Sequence, residues 1–458
     1  MWENGCGQHR RSVRWPAMPE FPSVQEVLGD LVSLKSYTPE GRRAVTQYIV
    51  DFTHRWQTDL QAEAQLMPFP GGCNVIVDVG VGVRHASEVL LGHAHFDKVD
   101  PDDYPKNFDR DPDQLITDSK NPDICYGLGS YDMLGSVAGF LCGLRKLQLA
   151  KHRHLRILFA DLEEKGSDGT HWMVRPMEPA YEEMGVNAEN PYRGISIPPG
   201  KDLLHDIGPG NACLLSNEIP VGGSLDDTPG IYIGRTGRVG LHLDVMGEGM
   251  HSGKVRRSQF PHMVSHRESV AKLALEGVHF PEHETDHAHL MPESLCVARD
   301  WYATRRSSLS VPSSGIIEID VFYTNPSITK TDIQRIVRSH LARTLGDDNF
   351  ILTFNDRGRR FPFTKPWLEL PNHPFVQHAQ RFGSEVYNQS IPLRAASGVA
   401  DEAIIVHAKN VPAICFPMEG QDEHIRTECV RISSITQRFI PLFHKLGAYD
   451  RSLTSWAA

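Results

Sequence analysis

The stretch Leu158-Phe159-Ala160-Asp161-Leu162-Glu163-Glu164-Lys165-Gly166-Ser167 constrains this chain most. An apolar run ends in two adjacent carboxylates, and a Gly-Ser turn follows. A buried strand carries side chains to its own C-terminal tip, where open α/β sheets place their ligand crevices. Two neighbouring acids at such a tip can divide labour, one holding a cation and the other moving a proton. Taken alone, the pair reads more readily as a solvated loop.

The surrounding pattern supports a sheet. Residues 23–67 read as helical, with apolar positions at Val27, Leu28, Leu31, Val32, Val45, Tyr48, Ile49 and Phe52. Strand-like runs follow at 74–79 and 88–95, then a Pro- and Asp-rich loop over 100–123. Asp132 opens the apolar segment 133–149, which reads as a buried helix with Asp132 near its N-terminus. Leu155–Ala160 and Ala212–Ser216 are strands again, separated by an irregular insertion over 175–210. The alternation predicts an α/β fold with a mostly parallel sheet flanked by helices.

After Gly237 the period changes. Leu241, Leu243 and Val245 alternate with polar neighbours, as do Ile317, Ile319 and Val321. Such alternation marks half-exposed, antiparallel strands. Helical stretches near 261–276 and 329–345 accompany them. Residues 236–354 therefore read as an α+β domain inserted between two parts of the first, 1–235 and 355–458. The second part resumes with a helix near 374–388, a strand at 411–416 and a last helix over 432–446.

The formal net charge of -10 and the lack of a long basic run argue against nucleic acid as a partner. No apolar segment reaches the roughly 20 residues that span a bilayer, so no membrane is expected. Met1–Pro22 carries arginines but no apolar core after them, and reads as a loose arm rather than a secretory signal. The eight scattered cysteines include no Cys-x-x-Cys and read as buried thiols, with a cytoplasmic location as the default.

Five separated places offer metal-type ligands at a strand end or helix start: His95-Phe96-Asp97, Asp132, Glu163-Glu164, Glu218 and His424. Each has an ordinary alternative: a core histidine, a helix N-cap, loop acids, a surface histidine. Their joint placement gives them weight.

Here a resemblance enters. Gly92-His93-Ala94-His95-Phe96-Asp97-Lys98-Val99-Asp100-Pro101 resembles the His-x-Asp box of the two-metal amidohydrolases and metallopeptidases. That family includes acetylornithine deacetylase, succinyl-diaminopimelate desuccinylase, aminoacylase and glutamate carboxypeptidase. Four more boxes follow in the family's order: Gly129-Ser130-Tyr131-Asp132-Met133-Leu134-Gly135, Glu163-Glu164-Lys165-Gly166-Ser167, Leu215-Ser216-Asn217-Glu218-Ile219-Pro220, and His424 with Glu428.

The resemblance implies a di-metal hydrolase of an amide bond, in an N-acyl amino acid or short peptide. Asp132 would bridge two divalent ions, zinc foremost, with cobalt or manganese as alternatives. His95 and Glu218 would complete one ion, Glu164 and His424 the other. Asp97 would hold the His95 ring and fix its tautomer, and Glu163 would be the general base. Gly247-Glu248-Gly249-Met250-His251-Ser252-Gly253 resembles the family's Gly-x-x-x-His-Ser segment. It implies a homodimer through the inserted domain, with His251 reaching the neighbour's site to stabilise an oxyanion. Arg394 falls where the family often clasps a substrate carboxylate.

Some residues depart from the pattern. Leu128 and Leu134 replace frequent Arg and Lys, Phe322-Tyr323 fills a strand that often presents Arg, and the 175–210 insertion lengthens one gap. These departures leave open a non-catalytic metal-binding or interaction protein that kept the fold. A competing motif, His283-Glu284-Thr285-Asp286-His287, matches single-zinc proteases. Pro281 and Pro292 bracket it with little apolar face, so an exposed loop or helix cap is expected there.

Overall fold

The structure, a computed structural model, describes residues 20–455 apart from 57–61, 70, 81–85, 102–110, 175–203, 205–206, 221, 304–309, 355–362 and 426. Nearly all of the N-terminal arm and most of the 175–210 insertion lie outside the described residues.

Among the described residues, a nine-stranded sheet forms the larger part. Its order runs Glu63–Phe69, Gly72–Gly80, Arg153–Ala160, Glu88–His95, Ala212–Ser216, Ala413–Cys415, Ile231–Arg235, Trp367–Leu368, with Leu393–Ala396 also beside Ile231–Arg235. The four middle strands, from Arg153–Ala160 to Ala413–Cys415, run parallel to one another. Antiparallel pairs close both margins. The sheet is therefore mixed, with the expected parallel order at its centre.

Burial explains the centre. All eight residues of Glu88–His95 and of Arg153–Ala160 are buried. Successive side chains point to opposite faces, so each strand feeds two cores. Leu155, Ile157 and Phe159 join one core, under helices Val24–Ser33, Pro39–Trp56, Gly135–Gly143, Pro374–Tyr387 and Ile440–Ala448. Leu158 and Ala160 join the other, under Asp168–Val174 and Asp401–Lys409. Gly92 lets Phe140 approach: a Cβ there would lie 2.8 Å from that ring.

Strands between Gly237 and Thr364 build a second, antiparallel sheet. Its order is Leu295–Ala303, Ser314–Tyr323, Gly237–Met246, Phe350–Phe354, with Phe363–Thr364 also beside Gly237–Met246. Helices Val264–Glu276 and Lys330–Leu345 contribute to a hydrophobic core separate from the other two. The pairing of Phe363–Thr364 carries this sheet about ten residues past the expected boundary at 354.

Two elements differ from the sequence expectation. The helical reading of 23–67 fails at its end, where Glu63–Phe69 is a strand paired residue for residue with Gly72–Gly80. Gly71, at φ +100°, lies between them at a backbone angle glycine readily adopts. The helix expected over 133–149 runs only from Gly135 to Gly143. No described helix is long and apolar enough to cross a membrane.

Candidate metal centre and active site

Three adjacent parallel strands end at one edge of the sheet and deliver acids and a histidine there. His95 is the last residue of Glu88–His95 and lies in register with Ala160. Glu163 and Glu164 follow Ala160 by three and four residues, and Glu218 follows Ser216 by two. The next parallel strand, Ala413–Cys415, leads into the segment that carries His424. Asp132 comes from the turn Ser130–Leu134, ahead of helix Gly135–Gly143. It does not cap that helix: Leu134 holds the N-cap position, with no side-chain bond.

All five proposed ligands converge. His95 Nε2 lies 3.0 Å from Asp132 Oδ1 and 3.9 Å from Glu218 Oε2. His424 Nε2 lies 2.9 Å from the other Asp132 oxygen and 3.1 Å from Glu164 Oε1. Among the described residues, three sets of ligand atoms gather within 4.8 Å: His95, Asp132 and Glu218; Asp132, Glu164 and His424; His95, Glu163 and Glu164. Glu218 Oε2 is buried with no hydrogen-bond partner among the described residues. A buried carboxylate oxygen left this way needs a cation or a proton. Mixed imidazole and carboxylate donors, with acids in excess, suit divalent metal ions.

Asp97 lies beside the His95 ring and also braces the neighbouring turn. The His95 Nδ1 lies 3.1 Å from the Asp97 carbonyl oxygen and 3.6 Å from its carboxylate. The carboxylate also accepts the backbone N–H groups of Glu163 and Glu164, at 3.0 and 3.1 Å. Asp97 thus touches the ring and holds the turn bearing both glutamates.

The remaining sequence candidates lie outside these ligand sets. His251 sits on a short ribbon pairing Met250–His251 with Ser310–Val311. It is exposed, and its Nδ1 accepts the Gly253 N–H at 3.1 Å. Arg394 lies on strand Leu393–Ala396, and its side chain hydrogen-bonds Tyr232. His283, Glu284 and His287 are not helical, as the flanking prolines predict. Leu128 and Leu134 are core residues.

The sequence matches the description "Peptidase family M20/M25/M40" over residues 91–439. The chain belongs to this family. As a member it is a metal-dependent hydrolase of peptides or amides. No curated protein matches it significantly. Its fold is similar to that of an M20 family metallo-carboxypeptidase from Sulfolobus solfataricus. The two are 14% identical, with 94% of this chain and 100% of that chain covered at a TM-score of 0.61. A tripeptidase from Staphylococcus aureus is 12% identical, with 93% and 96% covered and a TM-score of 0.62. Human carnosine dipeptidase 1 is 13% identical, with 92% and 94% covered and a TM-score of 0.59.

Electrostatics in this M20/M25/M40 member follow from four carboxylates packed around two imidazoles. Burial, then the neighbouring charge of Asp401, pushes the Glu163 carboxyl well above its ordinary range. Burial likewise lifts Glu218 to about 8 and raises Glu164, where the Asp132 charge adds to it. Burial disfavours a charged His424 ring, but Asp132 and Glu164 outweigh it and hold the ring up to about 12. Bound cations oppose these proton-retaining shifts in the carboxylates.

Left-handed backbone clusters here too. Leu162, Ser167, Asp422 and His424 have φ between 62° and 65°. Non-glycine residues held there carry strain that the surrounding structure must support. Buried polar residues brace the segments around the site; the sequence offers Glu428 only beside His424, and Asp401, Glu402 and Arg235 not at all. Glu428 accepts the N–H groups of Gly129, Tyr131 and Asp132, each at 2.8 Å. Asp401, Glu402 and Arg235, all buried, stand behind the two glutamate-bearing segments.

Proposed function

We propose that this chain hydrolyses the amide bond of an N-acyl amino acid or short peptide at a pair of divalent ions, zinc in first place. The observation that carries the reading is Asp132. Its two oxygens face two different histidines, and a separate glutamate completes each side. His95 and Glu218 would hold one ion, Glu164 and His424 the other, and Asp132 both.

When bound, the ions polarise the scissile carbonyl and acidify water. The protein's own groups do the rest. Glu163, next to Glu164 and raised in proton affinity, accepts the proton of the attacking water and returns it to the leaving nitrogen. Asp97 holds its backbone for this transfer. Two of the similar structures are named as a tripeptidase and a carnosine dipeptidase, in keeping with a short peptide substrate.

The reading includes a homodimer. His251 is exposed and lies outside its own chain's ligand sets, and the inserted segment presents an edge strand with exposed Leu295, Val297 and Trp301. In a dimer through that strand, His251 reaches the partner's site.

The test is Glu163→Gln, assayed against dipeptides and N-acyl amino acids with Zn²⁺, Co²⁺ or Mn²⁺ added. Its kcat should fall about 10²- to 10⁴-fold, while metal analysis still finds the wild-type complement of ions. Wild-type turnover in this variant would remove the mechanism.

A further inference from the structure

Helix Asp401–Lys409 begins with two consecutive carboxylates, and neither exposes any surface. Acids in a first helical turn usually sit in solvent, where they complement the helix dipole. Two buried carboxylates side by side are costly unless each finds partners. These two find them in different directions.

Asp401 accepts hydrogen bonds from the Thr170 and Ser167 hydroxyls, and His93 Nε2 lies 3.6 Å away. Ser167 belongs to the turn after Glu163 and Glu164, and His93 precedes His95 by two residues. Glu402 Oε1 holds Arg235 Nε at 2.5 Å. Both Nη atoms of that guanidinium reach the Ile219 carbonyl at 3.1 Å, next to Glu218. One helix turn therefore holds the Glu163–Glu164 turn with one side chain and the Glu218 loop with the next.

We propose that Asp401 and Glu402 are positioning residues that together set the separation of the two glutamate-bearing segments, and with it the spacing of the metal pair. The proposal rests on the dinuclear reading above. It predicts an asymmetry. Loss of the Glu402–Arg235 link should loosen the ion held by His95 and Glu218. Loss of the Asp401 link should leave both ions bound but displace Glu163.

The experiment uses the full chain, stripped of metal and titrated with Co²⁺ while the visible absorption is recorded, with kcat and KM measured separately. Glu402→Gln and Arg235→Lys should weaken one of two cobalt steps about 10- to 100-fold and leave the other in place. Asp401→Asn and Thr170→Val should keep both steps and KM while kcat falls about tenfold or more. Arg235→Lys and Thr170→Val leave both carboxylates in place, so they decide the matter if the acid variants do not fold. Folded Arg235→Lys and Thr170→Val proteins with wild-type titrations and kcat would overturn the proposal while the dinuclear reading stands. A wild-type protein taking up fewer than two cobalt ions would bring down both.

Discussion

Glu428 is a single buried carboxylate that organises a turn from almost three hundred residues away. Its oxygens collect three N–H groups, from Gly129, Tyr131 and Asp132. The turn Ser130–Leu134 has non-helical angles at Asp132 and Met133, so regular helix bonding does not hold it in place. Glu428→Ala would orphan three buried donors and should lower stability by about 3 kcal/mol or more. It should also weaken metal binding through Asp132. A urea midpoint equal to that of the wild type would contradict this account.

The same residue shows what a sequence discloses. His95, Asp132, Glu163, Glu164, Glu218 and His424 stood out because each lies in a compact motif, five of them at strand tips or the turn that opens a helix. Their supports are less legible: Glu428 shows only as a neighbour of His424, and Asp401 and Glu402 do not show at all. Glu428 acts on backbone groups up to 299 positions away, Asp401 on a hydroxyl 231 away, and Glu402 on an arginine 167 away. An acid pair opening a helix looks like ordinary dipole complementation until its burial is known.

At the scale of elements, apolar period located most central strands because those strands are buried on both faces. It failed at Glu63–Phe69, an edge strand whose partial exposure leaves no unbroken apolar run and whose pairing is tertiary. The C-terminal segment is another tertiary attachment. Glu88, first in a central strand, accepts from Ser452 Oγ and from the N–H groups of Leu453 and Thr454. Arg153, paired with Glu88, donates to the carbonyls of Leu446, Gly447 and Tyr449.

Burial alone would raise the Glu88 carboxyl, but Arg153 and these hydrogen bonds outweigh it and hold it below the ordinary glutamate value. A depressed acid adds stability that is complete above the ordinary value and lost as pH falls through the folded one. Wild-type protein should therefore lose part of its stability below about pH 4.5 as this clamp protonates. Glu88→Gln should already be weaker at neutral pH, by about 3–5 kcal/mol, and its stability should fall less steeply in acid. Parallel stability–pH curves for the two proteins would show that the clamp is not responsible.

For the whole molecule, the inserted segment matters through the surface it offers. The edge strand Leu295–Ala303 leaves Leu295 49%, Val297 42% and Trp301 55% exposed, a surface that invites pairing with another chain. If the chain forms a two-fold dimer there and His251 works in the partner's site, Glu163→Gln and His251→Ala are each inactive for a different reason. A mixed dimer then contains one site with both Glu163 and a working histidine from its neighbour. Random exchange of subunits makes about half the dimers mixed and should restore about a quarter of wild-type activity from two inactive preparations. A charge on the contact, Val297→Lys, should abolish that recovery and yield monomers by sedimentation. If His251 instead serves its own chain, each subunit still lacks one essential group after mixing, and activity stays absent at every ratio.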